Sequence, residues 1–291
     1  MSAGKAAWIG LGNMGYPMAG HLQKAGWNVT VYNRSRPKAE AWVKEHGGSK
    51  APTPAEAAKD ADIVCVCVGN DGDLRAVILG PNGALAGMKK GAILCDHTTA
   101  SAAIAREIAQ AAKSLGIAFL DAPVSGGQEG AKKGMLTIMV GGEAKAFAKA
   151  EPAMRSYGRA VTLMGPIGSG QLTKMVNQIC CVGAIQALAE AMNFATRAGL
   201  DGHKVVDVIA KGAAQSWQMA NRGKTMLEGK FDFGFAVDWM RKDLGIVLEE
   251  AHQNGATVPA TALIADFLSR LQARGDGRLD NTAVIRLLTH P

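Results

Sequence analysis

Gly10-Leu11-Gly12-Asn13-Met14-Gly15 follows a short apolar stretch near the start of a chain of 291 residues. Its Gly-x-Gly-x-x-Gly spacing is that of a turn that grips a nucleotide pyrophosphate. Gly10 permits the tight passage from strand to helix, Gly12 lets the backbone approach the pyrophosphate, and Gly15 lets the following helix pack near the strand. The phosphates then rest on the N–H groups and positive dipole end of that helix. In a chain with 36 glycines the spacing alone is weak, so its setting decides. Residues 6–9 read as a buried strand, 14–25 as a helix closed by Gly26, and 28–32 as a second strand. This is the βαβ setting that the motif requires.

The end of the second strand bears on the choice of cofactor. A site that prefers NAD usually places Asp or Glu about 20 residues past the glycines, where the carboxylate accepts from the ribose 2′-hydroxyl. Here that place holds Asn33, followed by Arg34, Ser35 and Arg36. With no carboxylate to repel a 2′-phosphate and two guanidinium groups able to pair with it, NADP is the preferred cofactor and NAD the alternative.

Hydrophobic residues make up 48% of the chain and charged residues 20%, a globular composition with ample capacity for a core. The net charge of +7 is scattered in pairs such as Lys89-Lys90 and Lys132-Lys133. An anionic cofactor and an acidic substrate account for it as well as nucleic acid does, and no nucleic-acid module is present, so no nucleic-acid partner is expected. The odd number and clustering of Cys65, Cys67, Cys95, Cys180 and Cys181 do not form a disulfide framework; reduced thiols in a cytoplasmic protein are expected. No signal region and no uncharged apolar run of membrane-spanning length stands out, so no membrane partner is expected. The six histidines lack metal-ligand spacing, and no metal is expected.

Apolar runs at 63–68, 92–96 and 117–120, with helical stretches such as 101–115 between them, predict a parallel, doubly wound α/β sheet of the Rossmann type. Residues 136–140 and 161–164 read as further strands at its end, flanking a helix near 145–157. Strand signals then stop. A Pro-free stretch at 169–198 carries apolar residues at helical spacing up to Gly199 and suits a spine joining two domains. Beyond it helices are expected, broken near Gly212, 229–234, Gly255 and 275–277. The organisation is therefore a dinucleotide-binding domain at 1–165 and an all-helical substrate and oligomerisation domain at 166–291. The broad apolar coverage of the long helix predicts an oligomer interface.

Lys174 and Asn177 stand three apart near the start of that helix, hence on one face. A lysine can give a proton to a carbonyl oxygen as hydride arrives and take it back in reverse, once burial or neighbouring charge adjusts its pKa. Taken alone, Lys174 reads more readily as a surface lysine near a helix start than as a catalytic one. Where the strand at 117–120 ends, Asp121-Ala122-Pro123-Val124-Ser125-Gly126-Gly127 forms a turn whose hydroxyl and amides suit an anion. Ligands bind outside the carboxyl ends of strands in such sheets. The same rule places Val68-Gly69-Asn70 and Thr98-Thr99 beside the cofactor.

Together the glycine fingerprint, residues 121–131, residues 165–177 and Lys242-Asp243-Leu244 resemble the β-hydroxyacid dehydrogenase family. That family includes 3-hydroxyisobutyrate dehydrogenase, tartronate semialdehyde (2-hydroxy-3-oxopropionate) reductase and the glyoxylate and succinic semialdehyde reductases. The resemblance covers essentially the whole chain, and the four segments in order are highly specific. It implies that Lys174 is the catalytic acid/base, that Asn177 orients substrate, and that Ser125, Gly126 and Gly127 hold its carboxylate. Thr99 and Lys242 are implied to lie by the nicotinamide end of the cofactor. Trp217 and Phe231 are expected to line the pocket, on its substrate and cofactor sides. Two departures stand out: Gln178 replaces a second asparagine found in many members, and His97-Thr98-Thr99 replaces a more usual serine-containing turn.

The expected activity is hydride transfer between NAD(P) and a small β-hydroxy acid and its semialdehyde, in a homodimer or homotetramer. Glyoxylate/succinic semialdehyde reduction is the alternative within the class, and a catalytically silent cofactor-binding scaffold the alternative outside it. The architecture is shared with 6-phosphogluconate dehydrogenase, but the chain is short for that group and has Asn177 where histidine would stand. Imine reductases generally replace the lysine.

Overall fold

The computed structural model describes residues 3–289; residues 1, 2, 290 and 291, the outer ends of the two expected domains, lie outside the described residues. The chain divides into two compact units, the first ending at Lys174 and the second beginning at Met175. The division falls within the Ser169–Arg197 helix.

The first unit is built on one sheet. Its strands are β1 (Gly4–Ile9), β2 (Trp27–Tyr32), β3 (Ser49–Lys50), β4 (Ile63–Val66), β5 (Ile93–Asp96), β6 (Ala118–Asp121), β7 (Val124–Ser125), β8 (Leu136–Gly142) and β9 (Gly158–Gly165). The order β3-β2-β1-β4-β5-β6-β8-β7, with β9 also on β8, is the 3-2-1-4-5-6 arrangement of a doubly wound dinucleotide-binding fold followed by an added edge. The strands from β3 to β6 are parallel to one another. The sheet is not parallel throughout, because β8 runs antiparallel to both β6 and β7 while β9 is parallel to β8. After β3 the chain returns to the other side of β1, so a crevice opens between the carboxyl ends of β1 and β4, where such sheets bind ligands.

Both faces of the sheet are covered, which is why its central strands are continuous apolar runs. The pleat sends alternate residues to opposite sides. Trp8, Cys65, Cys95 and Leu120 join one core with Met18, Leu22, Trp42 and Tyr157. Ile9, Val64, Val66 and Leu94 join the other with Ile104, Ile108 and Phe119.

In the second unit the long helix continues and is followed by the helices Gly202–Ile209, Trp217–Leu227, Val237–Asn254 and Pro259–Ala273, then a short turn of 3₁₀ helix at Asn281–Ile285 and a last turn at Arg286–Thr289. The breaks coincide with the expected glycines; Gly255, for one, closes its helix in the left-handed conformation at φ 78°. Val182, Ile185, Leu188 and Met192 of the long helix pack with Val206, Met240, Leu244 and Leu268. Among the described residues the long helix is the one helix apolar enough to cross a membrane by length and composition. Its inward stripe instead builds this core, while Val176 and Phe194 remain 61% and 73% exposed.

Candidate active site

The glycine loop has the form its sequence dictates. Gly10 takes φ 96°, and a Cβ there would run into the Cys67 carbonyl at the end of β4; the loop therefore hugs the crevice between β1 and β4. A Cβ at Gly15 would strike the Gly10 carbonyl, which also accepts from the Trp8 indole N–H at 3.1 Å. At Gly12, by contrast, nothing among the described residues lies within 4 Å of where a Cβ would stand. The helix Gly15–Lys24 begins with no acidic residue and no side-chain cap, so nothing in its own first turn offsets its positive end. These residues fit a dinucleotide: backbone approach at Gly12, and amides and dipole for the pyrophosphate from 13–15.

Asn33 has a supporting position. Its Oδ1 accepts from the Leu11 N–H at 2.9 Å and its Nδ2 donates to the Ser35 carbonyl at 3.1 Å, so it ties the loop to the end of β2. Arg34 is 92% exposed at its side chain, 3.9 Å from Asp73. Ser35 precedes the helix Arg36–His46.

Thr98 and its neighbours join the loops that follow β4 and β5. The Val68 N–H donates to Thr98 Oγ1 at 3.0 Å. Asn70 Oδ1 accepts from the Asp73 N–H and opens the short helix Asp71–Leu74. Asp71 in turn holds Ser101 through its N–H at 3.0 Å and its hydroxyl at 2.6 Å. His97, the departure from the usual turn, is buried: Nδ1 is 2.7 Å from the Ala122 carbonyl, Nε2 is 3.0 Å from the Tyr157 hydroxyl, and the ring stacks on Trp8. Thr99 is half-buried between Thr98 and Ala100.

The turn after β6 reaches Ser125, half-buried at the end of β7, and then Gly126 and Gly127, both exposed and at positive φ. Asp121 stands at the head of this turn. Its carboxylate accepts from the Gly168 N–H at 2.8 Å and the Gln171 N–H at 2.9 Å, so it caps the long helix across a gap of about 50 residues. Burial pushes its pKa up and the backbone N–H bonds draw it back. The signal was in the sequence: the helix opens Ser169-Gly170-Gln171 with no acid in its first turn, so its orphan N–H groups need an acceptor from elsewhere. Gln171 itself was missed; its side chain bonds the Thr98 carbonyl at 2.7 Å and the Ala100 N–H at 3.1 Å. Lys174, one turn later, is buried with 7% of its surface exposed.

In the second unit Asn177 and Lys242 are joined by two further side chains. Asn177 Nδ2 donates to Gln178 Oε1 at 2.8 Å, Gln178 Nε2 donates to Asp243 Oδ2 at 2.5 Å, and Lys242 Nζ lies 2.8 Å from Asp243 Oδ1. Gln178, noted as a departure, thus spans a gap to a buried carboxylate. Trp217 opens its helix 53% exposed, with the Arg222 guanidinium 5.1 Å from its ring centre. Phe231, expected to line the pocket on its cofactor side, is 8% exposed and packs in the apolar core, where burial of a large ring is favourable. Among the described residues no cluster of His, Cys, Asp or Glu is placed to hold a metal ion.

Residues 5–165 match the NAD binding domain of 6-phosphogluconate dehydrogenase, and 168–288 match the domain described as NAD-binding of NADP-dependent 3-hydroxyisobutyrate dehydrogenase. An uncharacterised oxidoreductase of Shewanella frigidimarina is 59% identical over 284 residues, 98% of each chain. The chain belongs to the β-hydroxyacid dehydrogenase family. The 2-hydroxy-3-oxopropionate reductase of Escherichia coli is 33% identical over 98% of this chain and 97% of its own. The 3-hydroxyisobutyrate dehydrogenase of Mycobacterium tuberculosis, solved with L-serine, superposes with a TM-score of 0.89 at 30% identity over 99% of both chains. As a member of this family the protein is an NAD(P)-dependent oxidoreductase of the dehydrogenase/reductase type.

Proposed function

We propose that the protein interconverts a small β-hydroxy acid and its semialdehyde, of the 3-hydroxyisobutyrate or tartronate semialdehyde kind, with NADP preferred over NAD and Lys174 as general acid/base. The observation that carries this reading is the burial of Lys174 in the first turns of a helix whose start is capped by Asp121. A lysine held in that way has an ammonium that can be aimed, whereas a solvated one does not.

When bound, the reduced cofactor supplies the hydride. Lys174 gives its Nζ proton to the carbonyl oxygen as negative charge builds there, and accepts it back from the hydroxyl in the oxidative direction. Ser125 and the backbone of Gly126 and Gly127 hold the carboxylate, and Asn177 fixes the oxygen. Thr99 and Lys242 border the nicotinamide end, and Trp217 the substrate. Catalysis then rests on positioning and charge complementarity, with no covalent intermediate on the protein. Support for NADP comes from Arg34 and Arg36, which follow Asn33 where an NAD site usually carries a carboxylate, and from the NADP-dependent family to which the second unit is matched. The odd number and clustering of the five cysteines favour a reducing, cytoplasmic setting, and the exposed Val176 and Phe194 support a homodimer or homotetramer, which sedimentation velocity would test.

The decisive assay follows absorbance at 340 nm with NADPH and with NADH against tartronate, succinic and methylmalonate semialdehydes and glyoxylate. Reduction of one carboxylated aldehyde, lost by about 10² or more in Lys174→Ala with cofactor binding retained, supports the reading. Tight cofactor binding without turnover of any of them would replace it with a scaffold role.

A further inference from the structure

We propose that Gln171 is a positioning residue that locks the loop carrying Thr99 to the helix carrying Lys174. For its effect on turnover this rests on the function proposed above; the clamp itself does not.

The side chain of Gln171 is completely buried. Its Nε2 donates to the Thr98 carbonyl at 2.7 Å and its Oε1 accepts from the Ala100 N–H at 3.1 Å. The two bonds take the backbone on either side of Thr99. A carboxamide offers this segment the same donor and acceptor pair that a neighbouring β-strand would. The backbone N–H of Gln171 meanwhile donates to Asp121 Oδ2 at 2.9 Å. One residue therefore fastens three things: the loop after β5, the carboxyl end of β6, and the helix turn that leads to Lys174. Through Val68 N–H on Thr98 Oγ1 at 3.0 Å, the hold extends to the loop after β4.

The amide is chemically required. Glutamate would lose the donor and set a carboxylate against the Thr98 carbonyl, and methionine would fill the space while leaving both backbone groups unbonded. Neither change touches the glycine loop that carries the pyrophosphate. Cofactor affinity and cofactor alignment should therefore separate.

Three measurements test the clamp. In the wild-type protein without cofactor, the Ala100 amide should exchange with solvent as slowly as the amides of β5, although it lies in a loop. In Gln171→Glu and Gln171→Met, NADPH should bind within about threefold of wild type while the emission of the bound nicotinamide moves toward that of free NADPH. With the aldehyde that the wild type reduces, kcat should fall about tenfold to a hundredfold and KM change less, the signature of misplaced rather than lost groups. Exchange of Ala100 at the rate of an open loop overturns the proposal, and so does wild-type emission and kcat in both variants, even with a lower Tm. Should neither variant fold, the wild-type exchange rate decides alone. If the wild type reduces no aldehyde, the proposed function fails while exchange and emission still judge the clamp.

Discussion

Asp96 and Asp121 are register partners on β5 and β6, both wholly buried, and they differ in how their oxygens are satisfied. Asp121 has N–H donors on both oxygens. Asp96 accepts from the Thr98 N–H at 2.9 Å on Oδ1, while Oδ2 has no hydrogen-bond partner among the described residues. Burial, only partly offset by Thr98, pushes the Asp96 pKa up to about 7.

That difference makes stability depend on pH. Between the ordinary value of 3.8 and about 7 the folded chain keeps a proton on Asp96 that the unfolded chain has released. The associated stability is whole below pH 3.8 and is lost as pH rises through the folded value. Asp96→Asn abolishes this titration. Relative to wild type, its unfolding free energy should rise from about pH 4 to about pH 7 by up to about 1.4 kcal/mol per unit, then level off. Urea titrations at several pH values check this; a difference independent of pH would remove Asp96 as the cause.

Arg34→Ala with Arg36→Ala should alter one cofactor and spare the other. Each charge-assisted bond to a 2′-phosphate is worth about 1.5–3 kcal/mol, so KM for NADPH should rise at least about tenfold while that for NADH changes less than about twofold. An equal rise for both cofactors would show damage to the loop instead.

Removal of the Asp243 carboxylate should be felt in stability. It holds the Gln178 amide and the Lys242 ammonium, and Asp243→Ala leaves both without it, at a cost of about 3 kcal/mol. The urea midpoint should fall with an unchanged m-value. A midpoint within error of wild type would mean that solvent satisfies both groups.

Gly15→Ala tests the glycine loop. The added methyl meets the Gly10 carbonyl and lies 2.9 Å from the Trp8 indole nitrogen; overpacking of this kind costs about 1–3 kcal/mol. Calorimetry should show the lower Tm and titration a much weaker NADPH complex. Wild-type values in both would show that the loop has room to yield.

Sequence reading works where a signal is local. The apolar runs of β4 and β5 and the glycines of β1's turn define the doubly wound sheet within a few neighbouring residues. β3 and β7, two residues each, are too short to carry a period, and nothing in the alternation of β8 reveals that it lies antiparallel to β6. In the candidate site the same limit holds. Lys174, Ser125 and Thr99 stand in recognisable segments, but Asp121 meets Gly168 and Gln171 across 47 and 50 positions and Gln171 meets Thr98 across 73. Such pairings depend on strand order, which no window of sequence contains.

The line between the two compact units passes between Lys174 and Met175, inside 29 unbroken helical residues. A protease that needs extended chain finds no purchase at that line. Neither half can be excised as a fragment with a natural terminus, because any cut there severs hydrogen bonds of a continuous helix and exposes four orphan groups on each side. The boundary is thus a seam without a loop, and dissecting this protein calls for substitution rather than truncation.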